Sequence, residues 1–229
     1  MKASTIKTLL EAKKSRTPIV ILKSLTSGDE QVITVDRISR LPELEMELNE
    51  AFRTDKSKII RTSEGELFIQ TFSPPPRLFI IGAVHVTQHM LPIAKSVGYD
   101  PVIIDPRTAF ATEERFGDAN LIAKWPQDVL NGDLLDARSA LVALTHDPKI
   151  DDPALELALQ NPCFYIGALG SQRTHNSRVE RLTARGFDAL QISRIKAPIG
   201  LDIGAQGPAE IAISIMAEIT ASLRMQKVE

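Results

Sequence analysis

The segment Arg77-Leu-Phe-Ile-Ile-Gly82-Ala-Val-His85-Val-Thr87 constrains this chain most. An unbroken apolar run, then a glycine, then a helix-compatible pattern reads as a buried strand that turns directly into a helix. Gly82 stands where the first glycine of a dinucleotide-binding G-x-G-x-x-G turn would stand, and Val84 and Thr87 hold the second and third positions. The second glycine lets a pyrophosphate approach the backbone, and the third lets helix and strand pack closely. A β-branched side chain at both places speaks against NAD(P) in this turn. The N–H groups and dipole of the helix N-terminus still suit a more distant anion.

The sharpest punctuation is Ser73-Pro74-Pro75-Pro76, through which neither a helix nor a central strand can continue. It divides the chain into a small α+β domain, residues 1–73, and a larger domain, residues 77–229. The first part reads as a helix (Ser4–Lys14), a strand (Ile19–Leu25), a turn at Ser27-Gly28-Asp29 and a strand (Gln31–Val35). A helix (Leu41–Arg53) with Leu44, Leu48 and Ala51 as its stripe follows, then a hairpin pairing Lys58–Arg61 with Glu66–Thr71. After the prolines, strands at Leu78–Ile81, Pro101–Asp105, Ala119–Ala123, Leu141–Thr145 and Phe164–Ile166 alternate with helices at Val84–Val97, Pro153–Leu159 and Thr174–Arg185. A last helix runs from Pro208 to Arg224. Such alternation predicts right-handed βαβ crossovers and an α/β, Rossmann-like doubly wound parallel sheet.

Bulk properties narrow the function classes. The 229 residues are 43% hydrophobic and 24% charged with a net charge of −2. No basic stripe suits nucleic acid, and no apolar run approaches the ~20 residues of a membrane span. The N-terminus has no signal-peptide pattern. The lone cysteine, Cys163, rules out an internal disulfide framework, fits a reducing cytoplasm and reads as a buried, inert thiol. There is no Gly-x-Ser-x-Gly elbow, Walker lysine or nucleophilic triad order, so no catalytic residue is assigned.

Ligands of a doubly wound sheet sit beyond the carboxyl ends of its strands. Those ends carry Gly82 and His85, Asp105 and Arg107, His146 and Asp147, and then Gly167, Gly170, Ser171, Arg173 and Thr174. Asp105 follows Gly82 by 23 positions, near the offset of a ribose-binding acid, and Arg107 could meet a phosphate; an Asp-Pro-Arg turn is the plain alternative. The Gly167–Thr174 loop is the better phosphate cradle, with glycines exposing backbone, Ser171 as cap and Arg173 as fork. As structure alone it is a capped loop. His85 and His89 share a helix face, but no His-Glu-x-x-His pattern or cysteine cluster marks a metal site. His85 and His146 suit hydrogen bonds to a bound molecule or acid–base work. The glycine-punctuated run 197–204 reads as an ordered loop over the sheet edge, with a lid as the lesser reading.

Taken together, these motifs resemble the C-terminal Rossmann domain of the XdhC/CoxI family, accessory proteins of molybdenum hydroxylases. The matching residues are Gly82-Ala-Val-His85-Val, Asp105-Pro-Arg107 with Phe110-Ala and Glu114-Arg-Phe116, and Leu144-Thr-His146-Asp147 with Asp151. Tyr165-Ile-Gly-Ala-Leu-Gly170-Ser171 with Arg173-Thr174, Ala197-Pro-Ile-Gly200-Leu-Asp202-Ile-Gly204 and Pro208-Ala-Glu210 through Glu218-Ile complete the set. The resemblance spans Arg77 to Arg224. It implies a carrier that binds the molybdenum cofactor (molybdopterin), assists its sulfuration and hands it to a xanthine dehydrogenase or CO dehydrogenase type of enzyme; an NAD(P)-binding oxidoreductase and a non-catalytic partner with a degenerate Rossmann pocket are the alternatives. A longer paralogue or a sulfurtransferase is a further implied partner, and a homodimer is compatible with it. Two features depart from the family. Val84 replaces the second glycine of its Gly-Ala-Gly-His turn, and residues 1–73 lack the cysteine-containing strand and Gly-Ser-Thr-Pro-Arg type loop of longer members.

Overall fold

The strands that follow the prolines are apolar on both sides because helices cover both faces of the sheet they build. The computed structural model describes residues 1–130 and 134–225. They divide into two compact units, Met1–Pro74 with Arg224, and Pro75–Leu223. Residue 229, the expected end of the second domain, lies outside the described residues.

In the first unit, helix α1 (Ala3–Lys14) precedes strands β1 (Ile19–Ser24) and β2 (Glu30–Ile33), helix α2 (Glu45–Thr54) and strands β3 (Lys58–Thr62) and β4 (Gly65–Phe72). The strands form one antiparallel sheet in the order β2-β1-β4-β3. Val20, Leu22 and Ile69 cluster with Leu44, Leu48 and Ala51. Helix α2 starts at Glu45 rather than Leu41. Pro42 disfavours helical backbone in the residue before it, and Leu41 takes φ −128° and ψ 64°.

The second unit runs β5 (Arg77–Ile81), α3 (His85–Ser96), β6 (Asp100–Ile104), α4 (Glu113–Phe116), β7 (Asn120–Ile122), α5 (Pro126–Val129) and β8 (Ser139–Ala143). It continues with α6 (Pro148–Leu159), β9 (Tyr165–Ala168), α7 (Gln172–Ala184), α8 (Ala189–Ile192), β10 (Ile195–Lys196) and α9 (Pro208–Arg224). Its six strands are all parallel, in the order β7-β6-β5-β8-β9-β10. Counted from β5 this is 3-2-1-4-5-6, the doubly wound Rossmann order, with its switch point between β5 and β8. Leu78 and Ile80 pack with Met90 of α3 and Ile215 of α9, while Phe79 and Ile81 pack with Leu155 of α6 and Leu182 of α7. This two-sided burial makes β5 a continuous apolar run.

Two boundaries differ from expectation at places that matter. Helix α6 begins at Pro148, where a first-turn proline needs no N–H and Asp147 caps it, rather than at Pro153, which lies inside the helix. Strand β9 extends to Ala168, so Gly167 belongs to a strand and not to the loop after it. Among the described residues, no helix is long and apolar enough to cross a membrane.

Candidate functional site

The turn after β5 is closed by its own neighbours. Gly82 takes φ +121°, and a Cβ there would come within 2.9 Å of Thr145 Cγ2. This glycine therefore serves close packing against the segment after β8. Thr87, fully buried, donates its hydroxyl to the Gly82 carbonyl at 2.6 Å. The side chain at the third glycine position thus braces the turn. Ala83 is held from both sides: its N–H donates to Asp105 Oδ2 at 2.8 Å, and its carbonyl accepts from Arg115 Nη1 at 2.9 Å. His85 opens α3 and is exposed, as is His89 one turn on.

Asp105, fully buried at the end of β6, anchors this arrangement. Besides Ala83 N–H, it accepts from Arg107 Nη2 on Oδ2 at 2.8 Å, and from Arg107 N–H and Nε on Oδ1, both at 2.9 Å. Burial alone would raise its pKa, but the Arg107 side chain and the two backbone N–H groups outweigh burial and hold the carboxyl below its ordinary range. Arg107 is raised in turn, first by its bond to Asp105, and its guanidinium lies 4.6 Å from the centre of the Phe110 ring.

On the other side of the switch point, buried Asp151 organises the turn after β8. It accepts from the Thr145 hydroxyl at 2.7 Å, the Thr145 N–H at 3.3 Å and the His146 N–H at 3.1 Å. Burial pushes its pKa up despite these bonds. The bonds hold His146 at φ +63°, a left-handed backbone that side chains rarely adopt, with the residue exposed. Asp147 accepts from Lys149 N–H at 2.9 Å and caps α6.

After β9, Gly170 takes φ +135° and Ser171 caps α7, accepting from Thr174 N–H at 3.3 Å and lying 3.1 Å from the Thr174 hydroxyl. Arg173 is exposed in the first turn. Gly167 is buried inside β9, where an added Cβ would collide with Ile199 Cδ1 at 2.5 Å. No motif in the sequence singles out Arg178, which shares the buried face of α7 with Leu182. An arginine four positions before an apolar residue on a covered helix face was the available signal. Cys163 precedes β9, at the amino end of the sheet away from these loops, and burial pushes its thiol up to about 12. The loop 197–207 is tied to α9, with Glu218 accepting from the Tyr165 hydroxyl at 2.5 Å and the Gly200 N–H at 2.8 Å.

The profile of the XdhC Rossmann domain matches residues 78–219. This chain belongs to the XdhC family. It is 33% identical over 154 residues to a Bacillus subtilis protein described as a probable xanthine dehydrogenase subunit, covering 67% of this chain and 44% of that protein. It is 31% identical over 158 residues to the molybdenum cofactor insertion chaperone PaoD of Escherichia coli, covering 69% and 43%. The match therefore spans under half the length of each relative. A crystal structure described as a xanthine dehydrogenase from Bacillus halodurans shares the fold of this XdhC member with a TM-score of 0.68 at 23% identity, covering 98% of this chain and 65% of the other.

Proposed function

We propose that this XdhC-family chain binds the molybdenum cofactor at the carboxyl edge of its parallel sheet and assists its maturation and insertion into a molybdenum hydroxylase. The observation that carries this reading is the N-terminus of α7. Ser171 caps a 13-residue helix with Arg173 and Thr174 in its first turn, one strand from the switch point. A cofactor phosphate there meets free N–H groups, the positive end of the helix dipole and the Arg173 fork. His85 and His146, exposed after β5 and β8, offer ring nitrogens to polar pterin edges from the two sides of the switch point. Asp105, Arg107 and Asp151 act behind them by holding the turns, and Asp147 sets the start of α6.

This donor set fits the cofactor's chemistry, which is anionic at one end and polar across its ring. Among the described residues no group of three His, Cys, Asp or Glu stands ready for a metal; the molybdenum arrives held by the cofactor's own dithiolene sulfurs. When bound, the cofactor supplies the metal centre that a recipient enzyme uses, and this chain binds, orients and shields it. The relative described as a molybdenum cofactor insertion chaperone supports the reading, and the one described as part of a xanthine dehydrogenase supports the recipient class. Braced by Thr87, with a β-branched Val84 where a second glycine would stand, the first turn disfavours a dinucleotide.

Titration of the purified chain with isolated molybdenum cofactor, followed by gel filtration, tests the proposal. Retention of the cofactor with the protein, weakened about tenfold or more by Arg173→Ala, is the expected result. Elution of all cofactor apart from the protein would refute it.

A further inference from the structure

Arg178 is only 2% exposed. Its guanidinium turns back toward the start of α7, as long side chains on helices do, and Nη2 donates to the Leu169 carbonyl at 3.1 Å, in the loop that enters the helix. Nε and Nη1 are buried and have no acceptor among the described residues, and the same holds for Nδ1 of His175. Two acids act on this charge through space, but both serve other donors. Asp151 accepts from Thr145 and His146, and Asp152 takes the fork of Arg181 at 2.6 and 3.0 Å. Buried charges in folded proteins are otherwise paired. A fully covered guanidinium with open donors, aimed at the loop that opens a helix N-terminus, marks a place kept for an anion.

We infer that Arg178 and His175 are the inner donors of a phosphate site whose outer wall is the Gly170–Thr174 turn. The group bound is a phosphomonoester or diphosphate. Arg178 gives it Nε–H and Nη1–H, and neutral His175, with its proton on Nδ1, gives a third donor. Gly170, at φ +135°, turns the chain from β9 into that outer wall. The inference rests on the cofactor reading for its location and deepens it by naming the ligand group and two residues that hold it.

Isothermal titration of the full chain with inorganic pyrophosphate tests this. The wild type binds, and Arg178→Met weakens binding about tenfold or more through loss of charge-assisted bonds. The urea midpoint of Arg178→Met is not lower, because an apolar side chain relieves a buried cation with two donors left without acceptors, which offsets the lost bond to Leu169. Equal affinity in Arg178→Met, or a wild type that takes up no pyrophosphate, overturns the assignment. Should Arg178→Met fail to fold, the ¹⁵Nε resonance of Arg178 in the wild type decides, assigned with Arg178→Lys. A shift on saturation with pyrophosphate supports the site, and an unmoved signal overturns it. A pterin monophosphate and a mononucleotide titrated in parallel separate the two sources of the same group. Molybdenum cofactor retained in full by Arg178→Met removes the phosphate site and leaves the cofactor reading. Pyrophosphate binding that depends on Arg178, with no retention of cofactor, does the reverse.

Discussion

Three buried or strained residues shape the turns at this edge, and each has a measurable signature. Asp105 is ionised against burial by four hydrogen bonds. Its folded pKa lies below the unfolded value of about 3.9, so its contribution is present above that value and is lost as pH falls through the folded pKa. Asp105→Asn is expected to cost about 1.5–3 kcal/mol at pH 7, read from urea melts, with the gap to the wild type closing in acid. Asp151 has the opposite sign, because burial raises it. The advantage of the wild type over Asp151→Asn should therefore be greatest in acid and shrink as pH rises through the raised pKa. His146 sits at φ +63°. His146→Val should cost roughly 1–2 kcal/mol while His146→Gly costs little; equal costs would mean that the backbone relaxes.

At the scale of elements, the proposed anion site on α7 predicts different effects of its cap and its exposed arginine. Ser171→Ala removes the cap and should lower stability by about 1 kcal/mol, whereas the exposed Arg173→Ala should change it by less than about 0.5 kcal/mol. Both should weaken anion binding, and loss of stability in Arg173→Ala would place that side chain in the fold rather than the site. How well the elements could be read from sequence follows from their physics. Long strands and α9 were legible because burial on both faces writes unbroken apolar runs and a first-turn proline marks a helix start. The short α4, α5 and α8 have four residues each, too few for a period to show, and β10 has two, fixed only by pairing with Ile166 and Gly167. Pro153 drew the start of α6 to itself because a first-turn and an interior proline look alike in sequence. Arg178 was missed because a charged side chain on a covered face reads as surface until the cover is known.

At the scale of the whole molecule, alternation of strand and helix predicts a parallel sheet, but not the 3-2-1-4-5-6 order that makes β5 and β8 neighbours. That order sets Gly82 against Thr145, in the turn that Asp151 organises, although the two lie far apart in the chain. It also explains the departure from the dinucleotide fingerprint. With Gly82 packed against Thr145 and Thr87 bonded to Gly82, the first turn is a structural joint, and the proposed anion site moves to α7. Because β5 is central and its Ile80 is fully buried, Ile80→Ala should cost roughly 2–5 kcal/mol in urea melts and distort both sides of the switch point. The measurement that tests the account most directly is the molybdenum content of the chain purified from a host that makes the cofactor, set beside that of Arg173→Ala at matched stability. The account predicts molybdenum bound to the wild type and about tenfold less on the variant; a metal-free wild type, or a variant that holds as much, would contradict it.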